Sequence, residues 1–596
     1  MPRDDIGAEG MDRPVPIEPG SNRIWGSDAI AEVLRAMEIP FIALNPGASY
    51  RGLHDSLVNR LGNAAPHMLL CLHEEHAVAL AHGYYKASGT PIAAALHSNV
   101  GLMHGSMAIF NAWCDRVPVL VIGATGPVDA ARRRPWIDWI HTAQDQGALI
   151  RHFVKWDGQP ASVPAAQEAL LRASQIMRTA PQGPVYVNLD AAMQEAELPE
   201  APPTPAVSRY APPPPAAPNA ELLAEAAAML SGAKRPVILI GRVGRSTESW
   251  AERVALAERL NAGVATDLKT GAVFPTEHPL HIGAPGTFPS GPVLDALREA
   301  DVVLSLDWVD LGGTLRAAGA ESVRVIRVSP DQRIHNGWSF DHQGLPPSDL
   351  YFDNEPDPVV QALLAALPAG NAAPAKPQAA PEPTTVEPSE PGAPMTIPDL
   401  SAALRGAVGE RPVTLIRLPL GWDGALWPFR EPMDYLGQDG GGGIGSGPGM
   451  AVGAALALRG SGRLPVAILG DGDCMMGLSG LWTAAHYRVP LLVIVSNNRS
   501  FFNDEVHQER VARERGRPVE NKWVGQAIRD PDPDFATLAR GLGLMGIGPV
   551  ESRDALDAAL AEAIAHVEAG GTALVDARVA PGYAPAMTRA LTRGSD

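Results

Sequence analysis

The residues best suited to chemistry lie in one run, GDGDCMMGLSGLWTAAHYRVPLLVIVSNNRS, residues 470–500. An apolar stretch ends in Gly470-Asp471-Gly472, a helical pattern follows, and a second apolar stretch ends in Asn497-Asn498. The step of 27 residues from Asp471 to Asn498 is long enough for one strand–helix–strand unit, so both polar ends emerge at the same edge of a parallel sheet. A carboxylate, an amide oxygen and a neighbouring backbone carbonyl form half an octahedron of hard oxygens. That set suits Mg2+, which completes its shell with water and phosphate oxygens. The glycines let the backbone approach a diphosphate, and a helix starting here offers N–H groups and the positive end of its dipole. A lone GDG reads more simply as a strand, a turn and a buried aspartate; the spacing and the double asparagine together argue against that plainer account.

A second cluster, His73-Glu74-Glu75-His76, opens HEEHAVALAHGYYKASG (73–89) and has the composition of a zinc site. Zinc-protease helices require H-E-x-x-H, with both histidines on one helix face. Here the histidines stand at i and i+3, position 77 is alanine, and His82 is a stray, so the spacing speaks against zinc. Glu75 suits the positive end of a helix dipole. Glu74 is less well explained that way, because it closely follows the apolar run HMLLCL and so sits at a strand's carboxyl end.

The elements that must position these residues recur along the chain. Two stretches, 198–218 and 368–394, are rich in proline and cannot bury a core, so they read as extended linkers. They leave three blocks, 20–197, 219–367 and 395–590, within 596 residues. Each block alternates short apolar runs with helical patterns: 39–47, 91–99, 118–126 and 183–190 in the first, 236–244, 301–310 and 323–331 in the second, and 412–418, 465–472, 490–498 and 572–579 in the third. Continuous apolar strands between helices predict three consecutive α/β domains, each a parallel sheet covered by helices. In the second block GRVGRS (241–246) is not G-x-G-x-x-G, and a dinucleotide site there has weak support. A net charge of −18 argues against non-specific binding to nucleic acid or anionic membranes. Three cysteines without a C-x-x-C pair, an N-terminus without an apolar leader and no membrane-length apolar run give a cytoplasmic enzyme as the expectation.

The 470–500 run resembles the signature of thiamine diphosphate-dependent enzymes, the family of acetolactate synthase, benzoylformate decarboxylase and pyruvate decarboxylase. HEEHAVALAHGYYKASG is similar to the segment of that family that carries its activating glutamate, with Tyr85 and Lys86 departing from the usual residues. GGGGIGSGPGMAVGAALA (440–457) is similar to its glycine-rich segment. The resemblance implies thiamine diphosphate and Mg2+ as cofactors and names the domains pyrimidine-binding, central and diphosphate-binding. It implies Asp471, Asn498 and the Ser500 carbonyl as metal ligands. Asn45, Pro46, Gly47, Gly470, Gly472 and Asp473 join them around the cofactor. Ile444 is to wedge between the two thiamine rings, and the Gly442 carbonyl is to accept a hydrogen bond from the aminopyrimidine. Glu74 is to bond N1′ of that ring, leaving Glu75 and His76 as surface or interface residues at a helix start. Because subunits of this family share sites, a homodimer or homotetramer is implied.

The substrate pocket is less determined. ALHSNVGLMHGSMAIFNAWCDRVPVLVIGATGP (95–127) is similar to benzoylformate decarboxylases, which makes His97 a candidate proton donor or acceptor. Ala48 stands where those enzymes have a catalytic serine, and Ser49 beside it is expected to point elsewhere. No counterpart of their second histidine is found in 305–315, which offers Asp307, Trp308 and Asp310. Phe501 and Phe502, with Asn503, His507 and Gln508, are candidate lid or pocket residues, and 509–515 reads as a charged surface helix. The expected activity is non-oxidative decarboxylation or carboligation of a small 2-oxo acid or aldehyde. The alternatives are an acetolactate synthase-type carboligase, whose flavin-associated pattern is not evident here, and a non-catalytic homologue.

Overall fold

The computed structural model describes residues 10–15, 23–333, 342–368 and 393–583; most of the 368–394 linker, and the third block beyond 583, lie outside them. Three parallel sheets carry the chain. The first has strands β1 Phe41–Leu44, β2 His67–Leu70, β3 Ala93–Leu96, β4 Leu120–Thr125, β5 Asp157–Gly158 and β6 Val185–Asp190, in the order β2-β1-β3-β4-β6-β5. The second has β7 Pro236–Ile240, β8 Gly263–Ala265, β9 Val302–Leu306, β10 Arg324–Val328 and β11 Leu350–Phe352, in the order β8-β7-β9-β10-β11. The third has β12 Val413–Arg417, β13 Leu464–Gly470, β14 Leu491–Asn497, β15 Met545–Val550 and β16 Thr572–Arg578, in the order β12-β13-β14-β16-β15. Most of their strands are almost wholly buried, as continuous Val/Ile/Leu/Ala runs require when helices cover both faces, whereas β2, β5 and β15 are only partly so. No helix among the described residues is long and apolar enough to cross a membrane.

Order within the sheets decides what meets what. In the first sheet β1 pairs with β3, so the chain reverses direction of travel between them and a crevice opens at their carboxyl ends. Residues 45–47 follow β1 and His97 follows β3, which brings these sequence-distant segments side by side. In the third sheet β13 pairs with β14 through Gly470 and Ser496, which sets Asp471 beside Asn497-Asn498.

The first and third sheets are joined by helix α1, Glu74–Ser88, crossing a later helix, Gly447–Ala457. Small residues bring the two backbones together: a β-carbon at Gly83 would stand 2.1 Å from the Met450 carbonyl oxygen, and one at Gly453 would stand 1.9 Å from that of Leu80. One apolar cluster therefore runs across both domains, from Val78, Leu96 and Ile109 to Met450, Leu469 and Val493. Each fully buried large aliphatic side chain there contributes about 1.5–3 kcal/mol. The helix-start residues lie inside this contact, since His76 is only 4% exposed and its Nε2 is 3.0 Å from Ser479 Oγ.

Candidate active site

At the third sheet's edge, Asp471 is 3% exposed and opens a short helix, Asp471–Gly477. Its Oδ1 accepts the Gly472 N–H at 2.8 Å and its Oδ2 accepts the Ser500 N–H at 3.1 Å. Asn498 Oδ1 accepts the same Ser500 N–H at 2.9 Å. Asp471, Asn498 and Ser500 are therefore one cluster. Burial pushes the Asp471 carboxyl up to about 6, although backbone N–H groups pull the other way. No lysine or arginine pairs with it among the described residues. A buried carboxylate beside an amide oxygen, with no cation of its own, fits a hard divalent ion. Gly470 and Gly442 face open space where a β-carbon would go, which leaves room for a diphosphate and a ring beside them. Asn497, by contrast, donates to Asp576 at 2.8 Å and braces the strand end.

The glycine-rich loop is held from three sides. Asn111, on helix α2 (Ser98–Cys114), donates to the Gly443 carbonyl at 3.2 Å and accepts the Gly443 N–H at 3.3 Å. Asp439 accepts the Gly442 N–H at 3.0 Å. Asp473 accepts the Gly445 N–H at 2.7 Å and the Arg417 Nε–H at 2.8 Å, while Arg417 also donates to Asp439. The Asp473 carboxylate is thus occupied in fixing the loop. Gly442 has φ +70°, a left-handed conformation that favours glycine. Ile444, at the crest, is 40% exposed.

At the first sheet's edge, His73 is the N-cap of α1; its Nδ1 accepts the Glu75 N–H at 3.1 Å. Glu74 is buried, and Gly101 on α2 makes room for it, since a β-carbon there would stand 3.1 Å from Glu74 Oε1. His104 Nδ1 lies 3.1 Å from Glu74 Oε2. Sequence reasoning missed His104, although it stands one turn, i+3, after Gly101 on the same helix. His73, Glu74 and His104 bring ligand-capable atoms within 4.8 Å of one another. The two imidazoles, however, are stacked 19° from parallel with centroids 5.0 Å apart. In-plane lone pairs of stacked rings do not converge on one ion, so the structure adds no support for zinc.

The neighbouring crevice holds His97. Gly47 lies directly against it; a β-carbon there would stand 2.2 Å from His97 Cβ. Ser49 is buried and its Oγ is 2.9 Å from His97 Nδ1, which corrects the expectation that this serine points elsewhere. Ala48 and Pro46 are exposed and line, with Arg51 and His54, a surface cavity of about 530 Å³. Asn45 donates to the Cys71 carbonyl at 3.0 Å and ties β1 to β2. Phe501 fills the space over Gly472, where a β-carbon would meet its ring at 2.4 Å. Phe502 starts the helix Phe502–Glu514 and meets Tyr583 edge to face at 5.1 Å. That helix buries only Glu505 and Ala512, as a charged surface helix should.

The central sheet also ends in polar residues, Arg242 after β7, Asp307 after β9 and Asp331 after β10. Arg242 and Asp307 border a cavity of about 720 Å³ that Tyr85, Lys86 and Gln182 of the first domain help to line. Asp331 accepts from Arg116 at 3.2 Å and lies 3.6 Å from Arg242.

Three descriptions of thiamine pyrophosphate enzymes match this chain: the N-terminal TPP binding domain over residues 24–149, the central domain over 223–335 and the C-terminal TPP binding domain over 420–577. Together they cover about two thirds of it, and the chain belongs to the thiamine pyrophosphate enzyme family. It is similar to a benzoylformate decarboxylase of Pseudomonas aeruginosa, 28% identical over 83% of this chain and 89% of that one. It is also similar to acetolactate synthase isozyme 1 large subunit of Escherichia coli, 25% identical over 88% and 89%. Among solved structures it shares its fold with a benzoylformate decarboxylase from Polynucleobacter necessarius, TM-score 0.76 at 20% identity over 94% of this chain and 99% of that one. The protein is a thiamine diphosphate-dependent enzyme with three α/β domains.

Proposed function

We propose that this enzyme is a Mg2+-dependent, non-oxidative 2-oxo acid decarboxylase or carboligase of the benzoylformate decarboxylase type. The observation that carries the reading is the Asp471–Asn498–Ser500 cluster at a sheet edge, a buried carboxylate with no cationic partner. Asp471, Asn498 and the Ser500 carbonyl would hold Mg2+ on a diphosphate, with Gly470 and Gly472 allowing close backbone approach. Gly442 and Ile444 would shape the ring pocket, and Asn111, Asp439 and Asp473 fix their loop before any ligand arrives. Glu74 would hold a proton at N1′ of the aminopyrimidine, with His104 steadying its carboxylate. Bound thiamine diphosphate supplies the carbanion stabilisation that lets a bond beside a carbonyl break. His97, braced by Gly47 and Ser49, would give or take a proton at the substrate's carbonyl oxygen.

Leu72, Met103, Ile444, Met475 and Met476 are exposed apolar side chains around these segments. Such a patch on a protein surface marks an interaction site and supports a homodimer or homotetramer with shared sites. A cytoplasmic location remains part of the same proposal. The full-length similarity to acetolactate synthases favours a second reading, carboligation of pyruvate. A panel of 2-oxo acids with product mass spectrometry, run with and without an added aldehyde, separates the two. Free aldehyde supports decarboxylation, whereas acetolactate or a flavin absorbance band supports the second reading. No turnover across the panel overturns both.

A further inference from the structure

We infer that His141 is the second histidine of the reaction pocket, a positioning residue that acts through His97. The inference rests on the reading of His97 given above. The His141 ring stands edge-on to His97, with centroids 4.6 Å apart and an interplanar angle of 65°. No spacing pattern links the two, which are 44 positions apart; the fold alone brings the segment after β4 across the end of β3. The approach is built rather than incidental. His141 caps the short helix Ile137–Ile140, its N–H bonded to the Ile137 carbonyl at 3.2 Å. Asn99, near the start of α2, donates to the Ile140 carbonyl at 3.2 Å and ties that turn to the His97 end of the helix. Asp138, 4% exposed, clamps the other end by accepting the Arg134 N–H at 2.6 Å and its guanidinium at 2.9 Å.

The chemistry follows from that proximity. Two imidazoles this close do not both carry a proton at little cost, so the neighbouring ring disfavours a proton on His97. Ser49 Oγ occupies His97 Nδ1 and fixes the ring, leaving Nε2 for a substrate. The charged and titratable groups acting on His97 are His141 and Arg134, which disfavour its protonation, and Glu74, which favours it. Burial, first, and then His141 hold His97 below the ordinary histidine range. His141 thereby keeps His97 neutral and ready to accept a proton at the pH where the enzyme works.

The test compares wild type with His141→Phe, which keeps the ring edge but carries no proton, and with His141→Gln, which keeps polarity without charge. Diethyl pyrocarbonate modification of the apoprotein, mapped to His97 by mass spectrometry across pH, reads the neutral fraction of that ring directly. The His97 midpoint should move upward in both variants. The acid limb of kcat/KM on whichever 2-oxo acid the wild type consumes should move the same way, with a loss of about tenfold at acid pH and less at alkaline pH. An unchanged His97 midpoint in both folded variants overturns the inference. If the wild type turns over no 2-oxo acid, the decarboxylase reading fails while the modification midpoint still decides the role of His141.

Discussion

The central and C-terminal sheets are both parallel and both end in acidic residues, yet they use those ends in opposite ways. At the central edge the two buried aspartates are answered within the chain: Asp331 takes Arg116 and Arg242, and Asp307 takes the Ser329 hydroxyl at 2.7 Å. Arg116 and Arg242 hold the Asp331 carboxyl below its ordinary range, while burial beside Asp331 pushes Asp307 up to about 6. Arg245 adds a tie to the third domain through the Leu436 carbonyl at 2.7 Å. At the C-terminal edge Asp471 is met only by backbone N–H groups and stays without a cation. One edge is neutralised within the chain and the other is left for a ligand to complete. Parallel-sheet topology supplies the crevice in both; the residues at the strand ends decide whether it binds or braces.

The strongest way to break that contrast is Asp471→Ala. Calorimetry should show thiamine diphosphate and Mg2+ binding lost to below detection, and undiminished affinity would remove the basis for calling this edge the cofactor site. Next, Glu74→Gln should lower kcat about 10²–10⁴-fold while binding by calorimetry largely survives; wild-type turnover would exclude Glu74 from the chemistry. In the central domain the prediction inverts. Asp331→Ala leaves two largely covered guanidinium groups short of a partner and should cost about 2–3 kcal/mol in chemical denaturation, with activity per folded molecule kept. Loss of cofactor affinity without loss of stability would show that the central crevice also serves a ligand.

The smallest effect concerns acid. Burial pushes both His76, at the interdomain contact, and His281, in the central domain, down to about 4. A histidine whose folded value is depressed binds its proton first in the unfolded chain. Its contribution is intact above the ordinary histidine value of 6.5 and is lost as pH falls from there towards 4. Each should contribute about 2 kcal/mol to that loss, and His281→Phe should flatten the stability–pH curve over this range. An identical curve in the variant would show that His281 is not part of the acid response.

Much of the architecture was legible because fully buried parallel strands are written as unbroken apolar runs. β1, β3, β4, β6 and the core of the third sheet stand where such runs predict them. β15 was not, since its sequence MGIGPV is glycine-rich and only partly buried, and it is held as a strand by pairing with β16. β8 and β11 are three residues each, too short to carry a pattern. Within the site, Asp471 and Asn498 were legible because one strand–helix–strand unit fixes their separation. Glu74 was legible through the family resemblance of its helix.

The partners of those residues were not legible. His104 faces Glu74, Asn111 and Asp473 hold the glycine-rich loop, Ser49 meets His97, and His141 closes on it from another segment. None of these contacts follows from spacing, because each joins elements whose distance depends on strand order and helix crossing. The sequence by itself determined the alternating elements, the strand-end carboxylate and asparagine, and the helix that opens at Glu74, all of them consequences of local periodicity and burial. Only the tertiary structure decided which strand ends become neighbours, and with that which acids are neutralised internally and which stay open, since charge pairing is set by distance in space and not along the chain.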